Sequence, residues 1–214
     1  MDELSKEYVI SFFDTNLMLH GDRPEAVRWT SKGQLLHYRA MLDIGDMSGK
    51  KILDFGCGKG DFYQFLKDRD IQVQYTGFDI NEKLIAAARL KYPDSDFRVF
   101  DTDKNVLEED FDYIILCGVF NLRVNGLDEV IRDTLKKLFF RCRIGLAFNA
   151  LSVHNPRKDF ELNYTSPEEL FAFAVNNLSP FVSLRHDRMS YDYIMFIYKE
   201  INAFADRDAS QGRF

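Results

Sequence analysis

Lys51 to Phe62 reads KILDFGCGKGDF, and the fold turns on this stretch. A short apolar run, Ile52, Leu53 and Phe55, ends in glycines at alternate positions, Gly56, Gly58 and Gly60, and passes into the helix-compatible DFYQFLKDR. The expected element is a strand, a tight turn and a helix start. A backbone that turns sharply and lets a ligand lie against it needs residues that tolerate positive φ and carry no Cβ, which is why glycine stands there.

Spacing narrows what the turn holds. A dinucleotide-binding turn asks for G-x-G-x-x-G, but the third glycine position falls on Asp61, with Gly60 one residue early. The phosphate cradle G-x-x-x-x-G-K-[ST] fails as well, because Asp61 and not lysine follows Gly60. Acidic residues mark the neighbourhood instead. Asp54 precedes the first glycine, and Asp79 ends the strand-like QVQYTGFDI. A carboxylate at that second strand end is where a ribose diol is held by paired hydrogen bonds. An anionic pocket also suits a ligand that carries positive charge.

Four stations follow in order: ILDFGCGKG, YTGFDI, FRVFD ending in Asp101, and FDYIILCGVFN. In this order the chain resembles the class I S-adenosylmethionine-dependent methyltransferases over about residues 30–200. The resemblance implies a glycine loop, a ribose-binding strand end, a segment near the adenine and a fourth strand, with S-adenosyl-L-methionine as cofactor and S-adenosyl-L-homocysteine as product. Gly118 to Asn121, together with AFNALS and LRHD, is similar to a bacterial subgroup of that family.

Bulk properties agree. A chain of 214 residues makes one sizeable core and is short for two domains, and 46% hydrophobic residues exclude a wholly disordered chain. The expected organisation is one domain over 1–200, with an N-terminal helical lid at 1–45, a core at 50–200 and a polar tail at 201–214. A net charge of −6 argues against nucleic acid as partner. No stretch approaches the roughly 18 apolar residues of a membrane helix, and MDELSKEY starts no secretory-type apolar run. Cys57, Cys117 and Cys142 have no metal-ligand spacing, and His20, His37, His154 and His186 are scattered, so no metal is expected. A cytoplasmic enzyme with free thiols, monomeric or homodimeric, is the simplest account.

In chain order, Leu4, Tyr8, Phe12, Phe13, Leu17 and Met18 recur at three- and four-residue steps and predict an amphipathic helix over 4–20. Ser31 with Gln34 reads as a capping box for a second helix ending near Gly45. Trp29, Gln34, His37, Tyr38 and Arg39 on and before it are either a solvated face or part of the site. The family's N-terminal segment closes over the cofactor, and this implies Arg39 as a partner for the methionine carboxylate. Beyond Lys51 strands and helices alternate, and YIILC is apolar at successive positions, as a parallel strand covered on both faces is. Ser166, Pro167 and Glu169 start a further helix. FVSLRH and YDYIMFIYK lie too close in sequence to be anything but antiparallel. The fold class is therefore α/β, a Rossmann-like seven-stranded sheet, mostly parallel, with an antiparallel C-terminal hairpin and helices on both faces.

Ligands of such sheets bind beyond the carboxyl ends of the strands. The cofactor residues expected there are Asp54, Gly56, Cys57, Gly58, Gly60, Asp79 with Ile80, Asp101 with Thr102, and Cys117 with Gly118, besides Arg39. For the acceptor they are Asn121, Asn149 with Ser152, and His186 with Asp187. Methyl transfer mainly needs alignment and removal of water. If a proton must be removed, His186 is the candidate base, oriented by Asp187 or Asp192; otherwise it is a histidine that holds the hairpin. GVFN replaces the Asn/Asp-Pro-Pro-Tyr signature of amine methyltransferases acting on bases or glutamine. The acidic charge and the supply of 20 Phe and 10 Tyr fit a small acceptor in a partly apolar pocket. The alternatives are a protein or peptide methyltransferase and a non-catalytic protein that binds S-adenosylmethionine for regulation.

Overall fold

The computed structural model describes residues 1–200. The expected polar tail, 201–214 with Asp206, Arg207, Asp208, Ser210 and Gly212, lies outside the described residues.

Helices α1 (Glu3–His20) and α2 (Ser31–Met41) precede the sheet. Then come β1 (Lys51–Phe55), α3 (Asp61–Lys67), β2 (Gln74–Asp79), α4 (Glu82–Lys91), β3 (Asp96–Val99), β4 (Phe111–Leu116) and α5 (Leu127–Phe140). The chain continues through β5 (Cys142–Ser152), β6 (Tyr164–Thr165), α6 (Pro167–Asn177), β7 (Val182–Met189) and β8 (Asp192–Tyr198).

The strands run in the order β3-β2-β1-β4-β5-β8-β7. That is the expected seven-stranded path, mostly parallel, with β8 antiparallel to both β5 and β7. An eighth strand, the two-residue β6, pairs with β5 off this path; two residues are too few to show a period. The order reverses between β1 and β4. A ligand crevice opens beyond the carboxyl ends of strands at such a switch point.

Two apolar cores flank the sheet, which is why β4 is apolar at successive positions. Ile114 and Leu116 join Ile131, Leu135, Leu170 and Phe173 of α5 and α6. Tyr113 and Ile115 join Tyr38, Met41, Phe62, Phe65 and Ile85 of α2, α3 and α4. The same alternation splits Leu53 from Ile52 in β1.

Local signals hold with three corrections. Ser166 caps α6, its side chain accepting from Glu169 N, with Pro167 opening the helix. At α2 the cap is Thr30, extended at φ −83° and ψ 151°, whose Oγ1 accepts from Gly33 N at 3.1 Å; Ser31 is already helical, and Gln34 donates instead to Asp61 at 3.0 Å. The apolar steps of α1 do not mark its buried face. Leu4 and Met18 are 78% and 79% exposed, while Ser5 and Lys6 are buried. Finally, β7 runs three residues past His186, which therefore lies inside a strand and not beyond its end. Its half RHDRM is polar because it belongs to a sheet edge.

Candidate active site

The glycine turn is built as its sequence requires. Gly56, Gly58 and Gly60 have φ of 78°, 54° and 82°, a left-handed region that costs other residues about 1–2 kcal/mol. Gly56 N and Cys57 N donate to the Phe78 carbonyl at 2.7 and 2.9 Å, tying the turn to β2. A Cβ on Gly56 would sit 2.5 Å from Val119 Cγ2, so the turn and the segment after β4 pack without space for one.

Asp79 ends β2 beside this turn. Its Oδ2 accepts from Gly58 N at 2.9 Å and its Oδ1 from Asn81 N at 2.8 Å. Burial raises its carboxyl above the ordinary range, against three backbone N–H donors that favour the charged form. Asp54 lies underneath. It is 2% exposed, accepts from the Tyr75 hydroxyl at 2.5 Å, and burial pushes its carboxyl up to about 7.

A cavity of about 360 Å³ opens over these strand ends, within the range of about 300–1,000 Å³ usual for ligand pockets. Gly56, Cys57, Gly58, Asp79, Ile80, Asp101, Thr102, Cys117, Gly118 and Asn121 line it, so most of the expected residues meet in one place. Asp54 and Gly60 do not: one is buried against the Tyr75 hydroxyl, and a Cβ on the other would meet Phe97 and Tyr92 at 2.9 Å. Asn149 is also outside the lining. It is fully buried, and its Oδ1 accepts from Gly118 N at 2.7 Å.

Two expected residues are placed elsewhere. Arg39 is exposed, because the inner face of α2 is taken by Gln34, His37, Tyr38 and Met41. Tyr38 lines the cavity in its stead. His186 is exposed on β7, stacks on Tyr193 at 6.5 Å between centroids and does not line the cavity. Asp187 pairs with Arg185, and Asp192 with His37.

The N-terminal segment, expected as a helical lid, walls the cavity with α1 residues of which the sequence pattern singles out Phe13 but not Lys6 or Val9. Lys6, Val9 and Phe13, spaced at i, i+3 and i+7, line the cavity from α1. Lys6 is 4% exposed and meets Asp101 at 2.9 Å and Asp103 at 2.8 Å. Burial opposes its charge, but the two carboxylates outweigh it and hold the ammonium above its usual range, while the Lys6 bond takes Asp103 down to about 2. A lysine in step with Val9 and Phe13 was the available signal. Asn81, 1% exposed, ties α1 to the site by donating to Ile10 O and Asp14 Oδ1 at 3.1 and 2.9 Å.

Trp29 completes the enclosure. A Cβ on Gly118 would lie 2.7 Å from Trp29 Cζ2, and the His37 ring packs 4.3 Å from the indole. Among the described residues no three His, Cys, Asp or Glu side chains are grouped to hold a metal ion.

These residues fit a nucleoside with a positive charge nearby. Asp79 offers a carboxylate at the strand end beside the glycine turn, and Asp61 and Asp101, paired with Lys59 and Lys6, line the same space.

Comparison with known proteins agrees with this geometry. A family model described as a methyltransferase domain matches residues 53–145. A curated protein of Mycobacterium tuberculosis named as a methyltransferase is 29% identical over 154 residues, 69% of this chain and 92% of that one. The crystal structure of magnesium protoporphyrin IX methyltransferase from Synechocystis PCC 6803 with bound S-adenosylmethionine superposes with a TM-score of 0.65 at 16% identity, over 94% of this chain and 98% of that one. Together these matches support an S-adenosylmethionine-dependent methyltransferase with the class I fold. The methyltransferase also shares 33% identity over 100 residues with the malonyl-[acyl-carrier protein] O-methyltransferase of Acetivibrio thermocellus, 46% of this chain and 35% of that one. Its cofactor is S-adenosylmethionine, and the matched segment runs from β1 into β5.

Proposed function

We propose that this methyltransferase acts on a small-molecule acceptor held between the segment after β4 and Trp29. One observation carries the reading: α1, Arg28, Trp29 and Tyr38 wall the cavity opposite the strand ends, enclosing it for a compact acceptor. When bound, S-adenosylmethionine supplies a methyl group on a positively charged sulfur. Asp79 holds the ribose diol, Asp101 and Thr102 flank the adenine, and the Gly56–Gly58 backbone lies along the methionine part. Asn121 aligns the acceptor. Asn149 acts through Gly118, whose N–H it holds, and is a positioning residue. Residues 1–45 work as a lid that keeps water from an in-line displacement. His186 and Arg39 have no part in this reading.

No described helix is long and apolar enough to cross a membrane, which is in keeping with the cytoplasmic, membrane-free setting we propose. The charge of −6 supports an acceptor other than nucleic acid. The test is incubation of the protein and a cell extract with methyl-labelled S-adenosylmethionine. Label in the metabolite fraction is expected. Label in protein would favour a peptide methyltransferase, and binding without any label a regulatory protein.

A further inference from the structure

We infer that the methyl acceptor is an uncharged molecule with an apolar body and an N–H or O–H group, which donates to Asn121 Oδ1. The inference rests on the small-molecule reading above and gives it a substrate class.

Asn121 is held by its backbone. Its carbonyl accepts from Asn163 N at 2.9 Å, the Phe120 carbonyl accepts from Asn163 Nδ2 at 3.3 Å, and Arg123 N donates to Glu161 O at 2.8 Å. The segment is thereby fastened to residues 161–163. Yet Asn121 Oδ1 is buried and has no hydrogen-bond partner among the described residues. A buried carbonyl oxygen left unpaired has given up its hydrogen bonds to water with nothing in return. Such atoms are rare in folded proteins and call for a reason. Here the residue lines a cavity, and a donor on a bound acceptor is that reason.

The surroundings set the charge. Trp29, Val119, Phe120, Leu122, Leu151 and Leu162 form the neighbouring wall. Its charged member is Arg28, whose guanidinium is already committed to Asp159 at 3.2 Å and Glu161 at 2.9 Å. The Cys117 thiol is kept neutral by burial. A carboxylate, phosphate or ammonium on the acceptor would leave water here without a free partner, a loss that a buried charge does not recover.

The chemistry is consistent with such an acceptor. Its lone pair forms the bond to the methyl carbon, the electrons of the broken carbon–sulfur bond remain on sulfur, and its proton passes to bulk water when the site opens to release the product. Asn121 aligns the nucleophile and takes no proton.

Trp29 is the one tryptophan of the chain and lines the cavity, so its fluorescence reports occupancy. The experiment titrates the full chain, saturated with S-adenosylhomocysteine, with p-cresol, p-toluidine, p-xylene, 4-hydroxybenzoate and tyramine. The two uncharged donors should bind about tenfold more tightly than p-xylene and than either ion. Asn121→Leu should bring p-cresol down to p-xylene while p-xylene and S-adenosylhomocysteine bind as before. Asn121→Asp should move the preference to tyramine. If S-adenosylhomocysteine binds but a charged probe is preferred, or Asn121→Leu leaves the p-cresol to p-xylene ratio unchanged, the inference is overturned and the methyltransferase site stands. If S-adenosylhomocysteine does not bind, the reading beneath it falls as well.

Discussion

His37 of α2 and Asp192 of β8, 155 residues apart, meet at 2.6 Å between Nε2 and Oδ2 in a buried contact, while His37 Nδ1 faces the Gly33 carbonyl at 2.7 Å. Both ring nitrogens thus face oxygens, which fixes the plane of the ring, and that plane supports Trp29 at the cavity wall.

Removing one partner strands the other without water. Asp192→Ala should cost about 3 kcal/mol of stability, read from urea unfolding. Trp29 fluorescence should change in the folded variant; an unaltered spectrum would show that the pair does not set the indole.

Gly118 has φ of 80° and lies against the same indole. Gly118→Ala should add about 1–2 kcal/mol of backbone strain and push Trp29 from its place. The expected result is a large fall in methyl transfer with far-ultraviolet circular dichroism preserved. Full activity would mean that the wall yields freely.

Asp54 makes stability depend on pH with a definite sign. Burial, aided by Asp79 and Asp61 and opposed by Tyr75, raises its folded value to about 7 from an ordinary 3.8. A raised value gives stability that is fully present below the ordinary value and is lost as pH rises through the folded one. Relative to Asp54→Asn, the wild type should lose up to about 1.4 kcal/mol per pH unit across that window. Parallel profiles for the two proteins would show that Asp54 does not titrate there.

His186→Ala should leave methyl transfer intact and stability within about 0.5 kcal/mol, as for an exposed side chain that lies outside the cavity and meets Tyr193 only by ring stacking. Loss of turnover in kinetic assays at unchanged cofactor affinity would return this histidine to the mechanism.

The parts of the fold and site that were legible in the sequence are those with backbone reasons. Alternate glycines mark positive φ, an aspartate at a strand end marks a carboxylate that lines the cavity, and unbroken apolarity in β4 marks a strand covered twice. Where the reason is a side chain's direction, the sequence misled. Arg39 and Tyr38 are neighbours on one helix, about 100° apart around its axis, with Tyr38 buried and Arg39 exposed, and periodicity alone did not choose between them. Leu4 and Met18 look like a core stripe but are exposed, whereas Lys6 is buried because Asp101 and Asp103, about 100 residues away, neutralise it. The edge strand β7 hid His186 because charged residues on an exposed edge carry no apolar alternation.

The central measurement is calorimetric titration of wild type and Asp79→Ala with S-adenosylhomocysteine, with NAD as a control. The expected result is binding to the wild type, none of NAD, and a loss of roughly 1.5–3 kcal/mol in the variant, about 10- to 150-fold in affinity. Equal affinity in the two proteins, or binding of NAD in place of S-adenosylhomocysteine, would contradict the assignment of this strand end to the cofactor's ribose.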